Sequence, residues 1–405
     1  MSELMTEHNS FNIRGFRVGV VDAGLYASYG KTTRPDLTLI ASDRPCAAAG
    51  VFTTNLVKAA PVLLDQARLR AKPNGMKAVL INTACANACT GDPGQKNAEQ
   101  TAVWTAQALQ CEADEVLVMS TGVIGVQLPM PQFEAGIPKA ALALDPGSWD
   151  DASKAIMTTD TRPKIASVIA HEGYTIIGIA KGAGMIAPNM ATMLAVIATD
   201  AAISPERLDQ SLREAVKTSF NRVVVDGDMS TNDTVIALAN GASEVQIGDP
   251  GSTSDFEFQK YLQAVCAALA EQIVRDGEGA TKFIHLTVSG ARTEAEAHQI
   301  ANTIATSALV KTAFYGGDAN WGRILAAAGR AGVDLDQGKM ALWYDDLQLV
   351  AAGTPLPYDE SRANAIAQQE NITVRLDLGL GSQSAVVYTC DLSHDYVSIN
   401  GHYRT

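Results

Sequence analysis

Thr192 stands at the junction between a glycine-spaced loop, Lys181 to Pro188, and a short apolar strand predicted over 193–197. A threonine hydroxyl is a weak nucleophile until a base removes its proton, and a freed α-amine on the same residue is such a base. That amine has a pKa of about 7.7–8.0, which suits proton transfer near neutral pH. Because the small side chain of Ala191 leaves its own carbonyl group uncrowded, the segment is compatible with self-cleavage at the Ala191–Thr192 bond. On this pattern alone, a threonine that simply begins a strand is the more common explanation.

Two further segments carry groups that suit acyl transfer. Thr121 and Gly122 follow a predicted strand, and a glycine N–H together with a threonine hydroxyl can form an oxyanion hole. Glu278 lies between two glycines at a predicted helix end, where its carboxylate is open to a substrate ammonium. Each segment also has a plainer interpretation, the first as a strand-ending turn and the second as a solvated capping loop.

The sequence carries none of the familiar metal or nucleotide motifs. The six histidines and six cysteines have no zinc-ligand spacing. The segment GLGSQSA is followed by a strand-like run rather than a helix, so it is not a dinucleotide loop. The segment 225–233 lacks the glycine and glutamate of a calcium loop, and a turn or a helix start capped by Thr231 or Asn232 explains it better. We therefore expect no metal and no cofactor.

The composition indicates a globular protein with a sizeable core. The chain has 405 residues, of which 47% are hydrophobic and 19% are charged, and its formal net charge is −13. This acidity, with basic residues scattered along the chain, argues against nucleic acid and anionic membranes as partners. No apolar run is long enough for a transmembrane helix, and the polar N-terminus lacks the pattern of a signal peptide. We expect a cytoplasmic protein.

Strand and helix signals alternate along the chain. Apolar runs and alternating patterns predict strands over 36–42, 77–82 and 114–120, hairpins over 164–180 and 339–350, and a strand pair over 372–379 and 384–392. Helical periodicity and caps predict helices over 97–111, 204–220, 255–277 and 293–310. This alternation is typical of a layered α/β fold in which helices cover the sheets.

Seven segments, in order along the chain, resemble the ornithine acetyltransferase (glutamate N-acetyltransferase) family. The resemblance covers nearly the whole sequence, and the seven together are far more specific than any one alone. They are STGVIG at Ser120, MTTDTRPK at Met157, KGAGMIAPNMATML at Lys181, VVVDGDMSTNDT at Val223, RDGEGATKF at Arg275, NWGR at Asn320 and YVSINGHYRT at Tyr396.

The resemblance implies an αββα sandwich and a precursor that cleaves itself at Ala191–Thr192. The two products, an α chain of residues 1–191 and a β chain of residues 192–405, would together form one interleaved catalytic unit and assemble as an α2β2 heterotetramer. Thr192 would take the acetyl group from N-acetyl-L-ornithine and pass it to L-glutamate by a ping-pong mechanism. This reaction would belong to arginine biosynthesis.

The resemblance also implies residue roles. Thr121 and Gly122 would stabilise the oxyanion of the tetrahedral intermediate. The implied substrate-binding residues supply opposite charges and neutral hydrogen-bonding groups, and they are Thr158, Lys181, Thr192, Glu278, Asn400 and Thr405. Acetyl-CoA stays open as a second acetyl donor, which would make the enzyme bifunctional.

Some positions depart from the family pattern. Ala84 and Cys85 stand where glycine and asparagine are more common, and His402 stands where an acidic residue is common. These departures leave room for a paralogue of secondary metabolism, an N-acyl amino acid transferase or hydrolase with the same nucleophile. A non-catalytic amino-acid-binding protein that never matures is the alternative from another class.

Overall fold

The computed structural model describes residues 4–5, 11–187 and 193–402. The described residues of 1–182, 189–221 and 229–270 form a first compact unit, and those of 183–188, 222–228 and 271–405 form a second. The chain passes repeatedly from one unit to the other, so neither unit is a continuous stretch of sequence.

A mixed sheet is the framework of the first unit. Its strands are β1 (Leu4–Met5), β2 (Phe16–Val21), β3 (Leu37–Phe52), β4 (Asn74–Asn82), β5 (Val116–Ser120), β6 (Lys164–Ile169), β7 (Thr175–Lys181), β8 (Leu194–Thr199) and β10 (Thr234–Ala239). Their order is β1-β6-β7-β8-β10-β3-β4-β5, and β2 pairs with β3. The middle strands β7, β8 and β10 are almost wholly buried, which explains their continuous apolar sequences.

Six helices accompany this sheet in the described part of the chain. They are α1 (Ala60–Ala71), α2 (Gly91–Leu109), α3 (Met130–Leu142), α4 (Trp149–Ala155), α5 (Pro205–Thr218) and α6 (Thr253–Arg275), the last of which ends in the second unit. Four of them, α1 to α4, contribute to two apolar clusters. One cluster packs Trp149 of α4 against β6, β7 and β8. The other packs α1, α2 and α3, with the buried Phe133 among its members, against β4 and β5.

The second unit is also a mixed sheet with helices. Its strands, in the order β14-β13-β12-β15-β11-β16-β9, are β9 (Val223–Val224), β11 (Phe283–Ala291), β12 (Ala341–Tyr344), β13 (Leu347–Ala351), β14 (Thr354–Pro355), β15 (Asn371–Asp377) and β16 (Gln383–Cys390). Its helices are α7 (Glu294–Ala305), α8 (Ala308–Gly316), α9 (Trp321–Gly329), α10 (Glu360–Ala367) and α11 (His394–Gly401). Four 3₁₀ turns complete the described elements of the chain, at Ala27–Tyr29, Ala113–Glu115, Phe220–Arg222 and Gln337–Lys339.

Most predicted elements are confirmed. The hairpin over 164–180 is β6 and β7, and the helix predicted from 204 is α5, in which Ser204 Oγ accepts a hydrogen bond from the Arg207 N–H at 3.2 Å. Segment 225–233 bends and then enters β10, so the turn interpretation is confirmed and the helix start is wrong. The helix predicted over 293–310 is confirmed as α7, but it is not continuous: it ends at Ala305, and α8 begins after Ser307, which has extended backbone at φ −76° and ψ 111°.

The predicted pairing of 372–379 with 384–392 is wrong. These segments are β15 and β16, and both pair with β11, which lies between them. The connecting loop crosses the end of β11, where Leu380 N–H donates to Gly290 O at 2.7 Å. A Cβ at Gly381 would lie 2.3 Å from Ala291 O, so only glycine allows this close crossing.

In the part of the chain that the structure describes, no helix is both long and apolar enough to cross a membrane.

Candidate active site

The turn after β5 is a tight corner formed by Thr121 and Gly122. Gly122 has φ +134°, and a Cβ there would lie 2.3 Å from the carbonyl carbon of Ala84. Both facts require glycine at this position. The Thr121 N–H is occupied, since it donates to Asn82 O at 3.0 Å. The Thr121 hydroxyl and the Gly122 N–H, the two groups expected to form an oxyanion hole, both lie at this corner.

A second loop, residues 83–90, holds this corner in place. Val123 N–H donates to Ala84 O at 3.1 Å, and Ser120 Oγ donates to Asn82 Oδ1 at 2.7 Å. Ala84 has φ +72°, a left-handed conformation that costs a non-glycine residue about 1–2 kcal/mol. This conformation gives a physical reason for glycine to be common at position 84.

Asn232 connects the corner to the start of β10. Its Nδ2 group donates to Ser120 O at 2.8 Å and to Ala86 O at 2.6 Å, and the residue is buried. One amide thus fixes the backbone of both loops around Gly122. Such a network holds the backbone at Thr121 and Gly122 in one arrangement.

Lys181 brings a positive charge to the same corner. It ends β7, is 4% exposed, and its Nζ donates to Thr121 Oγ1 at 3.3 Å. Because Thr121 Oγ1 accepts this hydrogen bond, its own proton is free to point elsewhere. A buried ammonium beside a hydroxyl donor suits a carboxylate or an oxyanion.

Asp160 is the counter-ion of the Lys181 ammonium group, and it also accepts hydrogen bonds from the surrounding backbone. Its Oδ1 accepts from Lys164 Nζ at 2.7 Å and from Gly182 N–H at 2.6 Å, and its Oδ2 accepts from Thr158 N–H at 2.9 Å. Burial raises the pKa of the Asp160 carboxyl, but the charges of Lys181 and Lys164 outweigh burial and hold the pKa below its ordinary value. Asp160 is therefore a stable anion between two buried ammonium groups.

Replacing Asp160 with asparagine should destabilise the protein strongly. Removing one partner of a buried ion pair leaves its counter-charges uncompensated, at a cost of about 3–5 kcal/mol. Because the folded-state pKa of Asp160 is lowered, the advantage of wild type is full above the unfolded pKa of about 4 and declines as the pH falls further. Denaturant unfolding at pH 7 and pH 3 measures both effects.

Asp209→Asn is the matched control for this prediction. Asp209 pairs with Arg213 at the same four-residue spacing, but both side chains are exposed. We expect a change below about 1 kcal/mol there. Equal losses in the two variants would contradict the role assigned to Asp160.

Asp233 holds the residue that follows Thr192. Asp233 is fully buried, and its Oδ1 accepts from the Met193 N–H at 3.0 Å. Thr234 N–H donates to Met193 O at 3.1 Å. Met193 is thus fixed through both of its backbone polar groups at the start of β8.

The second unit presents a carboxylate on a glycine-lined backbone. Glu278 is buried, its N–H donates to Ala183 O at 2.8 Å, and its Oε2 accepts from Asn400 Nδ2 at 2.7 Å. A Cβ at Gly184 would lie 2.3 Å from Glu278 Oε2, so glycine is needed for this approach. The expected proximity of Glu278 and Asn400 is therefore observed.

Asp226 fixes the same loop. Its carboxylate accepts from the Met185 N–H at 2.5 Å and from the Ile186 N–H at 2.9 Å. The Tyr396 hydroxyl donates to Asp226 Oδ2 at 3.3 Å. The segment that leads towards Ala191 is thus anchored through two consecutive amides.

The structure brings some of the predicted residues together. In the first unit, Lys181 contacts Thr121, which precedes Gly122. The Thr158 N–H donates to Asp160, the counter-ion of Lys181. In the second unit, Asn400 donates to Glu278. Ala191, Thr192 and Thr405 lie outside the described residues. His402 is exposed at the end of α11, where its Nδ1 contacts Ser398 O at 2.9 Å.

Sequence reasoning missed three residues that organise the site, namely Asp160, Asn232 and Asp233. Asp160 could have been identified from the sequence, because Lys164 follows it after four residues in the segment MTTDTRPK, which resembles the family. Asn232 and Asp233 looked like turn residues, and their partners come from distant strands. Among the described residues, no group of three or more His, Cys, Asp or Glu side chains is arranged to hold a metal ion.

Comparison with known proteins gives matches over nearly the whole chain. The model of the ArgJ family matches residues 17–405. Arginine biosynthesis bifunctional protein ArgJ of Geobacter sulfurreducens is 50% identical over 398 residues, which cover 97% of this chain and 100% of that protein. The mitochondrial protein of the same name from Heterostelium pallidum is 45% identical and covers 97% of this chain, with 94% of its own length matched.

A solved structure is also similar. The crystal structure of arginine biosynthesis bifunctional protein argJ from Bacillus halodurans is 39% identical, with a TM-score of 0.50. The match covers 51% of this chain and 97% of the solved chain.

These matches define an acyltransferase of arginine biosynthesis. The chain belongs to the ArgJ family. The fold class predicted from the sequence is thereby confirmed.

Proposed function

We propose that this protein is a glutamate N-acetyltransferase that cleaves itself at Ala191–Thr192 and then transfers acetyl from N-acetyl-L-ornithine to L-glutamate. The observation that carries the proposal is the corner at Thr121 and Gly122, with a buried ammonium 3.3 Å from the threonine hydroxyl. Such a corner suits the negative oxygen of a tetrahedral intermediate. The membership in an arginine-biosynthesis family supports the choice of substrates.

Two observations support self-cleavage. The backbone before the bond is anchored by Asp226 at Met185 and Ile186, and the backbone after it is anchored by Asp233 at Met193. The solved ArgJ chain from Bacillus halodurans is matched over 97% of its length and yet covers only 51% of this chain, so it is about half as long. A relative that consists of one cleavage product would have that length.

The transfer proceeds in two half-reactions. The Thr192 α-amine takes the proton of Oγ as Oγ attacks the acetyl carbonyl, and the amine returns the proton to the departing amino group of ornithine. The Thr121 hydroxyl and Gly122 N–H stabilise the oxyanion. The amino group of glutamate then attacks acetyl-Thr192 by the reverse sequence of steps, and free Thr192 is regenerated.

Charge distinguishes the two amino acids. Lys181 suits the α-carboxylate that both share, whereas Glu278 suits the cationic side chain that ornithine alone carries. We also propose acetyl-CoA as a second donor and an α2β2 assembly of the cleaved chains. Thr158, Asn400 and Thr405 supply neutral hydrogen bonds to the bound amino acid.

The decisive experiment supplies N-acetyl-L-ornithine with and without L-glutamate. Ornithine release that continues only with glutamate, and double-reciprocal plots with parallel lines, are the expected results. Acetate release at the same rate without glutamate would refute the transferase and favour a hydrolase. A parallel reaction with acetyl-CoA and glutamate tests the second donor, and light scattering of the purified protein tests the assembly.

Glu278→Gln should weaken binding of N-acetylornithine selectively. The substitution keeps the hydrogen bond with Asn400 but removes the charge, and hydrogen bonds to charged groups contribute about 1.5–3 kcal/mol. The KM for N-acetylornithine should rise roughly 10-fold or more, while the KM for anionic glutamate should not rise. Steady-state kinetics with each substrate varied in turn measures both.

Glu271→Gln is the control, because Glu271 pairs with Arg275 on the exposed part of α6. It should leave both KM values unchanged. A rise in the KM for glutamate equal to that for N-acetylornithine in Glu278→Gln would contradict the charge argument.

A further inference from the structure

Strand β3 has an unpaired edge within the sheet of the first unit. The Ala48 N–H points away from β10 and donates to Pro73 O at 2.8 Å. Every second residue of a strand directs its main-chain polar groups to the same edge, so Gly50 and Phe52 also face away from β10. The strand on that side, β4, pairs with β3 only as far as Ala47. Among the described residues, none forms a hydrogen bond with the main chain of Gly50 or Phe52 on this edge.

This edge lines a cavity of about 610 Å³. The cavity lies between β3, the C-terminal half of α1 and α5, and its volume falls in the range of about 300–1,000 Å³ that is usual for small-molecule sites. Gly50 is buried, and buried main-chain N–H and C=O groups are almost always paired. An amide group in the cavity can pair with both groups of Gly50, as an added strand does at a sheet edge.

Opposite charges stand on two walls of the cavity. Arg70 of α1 and Glu206 of α5 both line it, and neither has a hydrogen-bond or ion-pair partner in the part of the chain that the structure describes. Arg213 and Asp209 line it too, but they neutralise each other through two hydrogen bonds at 2.7 and 3.0 Å. The cavity thus offers one guanidinium and one carboxylate to a ligand that carries both a negative and a positive group.

We propose that this cavity is a second binding site, for an amino acid with an N-acyl amide, a carboxylate and a cationic side chain. The amide pairs with the main chain of Gly50, the carboxylate with Arg70 and the cation with Glu206. N-acetyl-L-ornithine has these three groups, and its choice as the probe rests on the proposed function. The cavity shares no lining residue with the corner at Thr121 and Gly122, so the two sites can be observed separately.

Amide hydrogen exchange of the mature enzyme, resolved to single residues by mass spectrometry, tests the proposal. Without ligand, the Gly50 amide should exchange faster than that of Val51, which pairs with β10. N-acetyl-L-ornithine at ten times its half-saturating concentration should slow exchange at Gly50 about 10-fold. L-ornithine lacks the acyl amide, and N-acetyl-L-glutamate places a second carboxylate against Glu206. Neither should slow exchange at Gly50 at that concentration.

Arg70→Gln and Glu206→Gln each remove one charge from the cavity. Each should raise the concentration of N-acetyl-L-ornithine that half-protects Gly50 about 10-fold or more, the effect of one lost charged hydrogen bond. Exchange in segment 118–123, at the oxyanion corner, should respond to the ligand as in wild type. Glu214→Gln is the matched control, because Glu214 is exposed on α5 and does not line the cavity, and it should change neither response.

Three results would overturn the second site. They are unchanged exchange at Gly50 with N-acetyl-L-ornithine, equal protection in wild type and both charge variants, and slow exchange at Gly50 without ligand, which would show that another part of the assembly already pairs with this edge. Acetyl transfer to glutamate that occurs without protection at Gly50 would refute only this inference. Protection at Gly50 in an enzyme that transfers no acetyl would refute only the proposed function.

Discussion

Thr192→Ala should yield a single uncut chain of 405 residues with no acetyl transfer above background. Alanine has no hydroxyl to attack Ala191, so the precursor cannot rearrange, and no N-terminal amine or acetyl acceptor arises. Removal of a catalytic nucleophile typically costs about 10⁶-fold in kcat. Denaturing electrophoresis and intact mass show whether the chain is uncut, and the transfer assay on the same sample shows whether acetyl transfer is lost.

Thr192→Ser is the matched variant, because it retains a hydroxyl at the same position. It should still cleave and should retain measurable transfer. Sequencing the new N-terminus of its fragment must give the residue at position 192. Two fragments from Thr192→Ala, or a wild-type enzyme whose active fraction is uncut, would contradict the proposed mechanism.

Local signals were sufficient for most of the fold. The Ser204–Pro205 pair predicts the start of α5, and the alternating run from Ile372 predicts β15, because both patterns depend on neighbours in sequence. Strand order depends on contacts between distant residues. Adjacent strands in sequence pair in about two-thirds of cases, so β15 and β16 were expected to pair, but the glycine loop instead crosses the end of β11.

In the candidate site too, some residues could be identified from local sequence and others only from contacts between distant residues. Thr121, Gly122, Lys181 and Glu278 have chemistry that is evident from residue type, and the family resemblance supplied their roles. Asp160 and Asp233 are both aspartates in loops, where the residue commonly forms turns. What distinguishes them is burial, together with the approach of Lys181 to Asp160 and of Met193 to Asp233, which no local pattern reveals. Only the pairing of Asp160 with Lys164, four residues away, was a local signal.

Gly122→Ala should lower kcat about 100- to 1000-fold, the loss typical of one missing oxyanion donor. The new methyl group would lie 2.3 Å from the Ala84 carbonyl carbon and 2.5 Å from the Cys85 nitrogen, and both are backbone atoms that cannot move aside cheaply. The corner must therefore shift, and the Gly122 N–H leaves the position in which we propose that it stabilises the tetrahedral oxyanion. Because that oxygen becomes fully negative only in the transition state, kcat should fall more than the KM values change. Single-turnover formation of acetyl-Thr192, detected by mass spectrometry, measures the affected step directly.

Gly125→Ala separates this effect from ordinary backbone strain. Gly125 lies three residues away in the same loop and also has positive φ, +85°, but a Cβ there would meet nothing within 4 Å. Both variants incur the cost of an alanine at positive φ, about 1–2 kcal/mol of stability. Only Gly122→Ala adds the cost of a backbone clash and displaces its own N–H. We therefore expect the lower unfolding midpoint in Gly122→Ala. We also expect a far lower rate of acetyl transfer in Gly122→Ala than in Gly125→Ala when both are assayed well below their unfolding midpoints. If Gly125→Ala loses as much activity as Gly122→Ala, strain alone accounts for both, and the Gly122 N–H has no special part in catalysis.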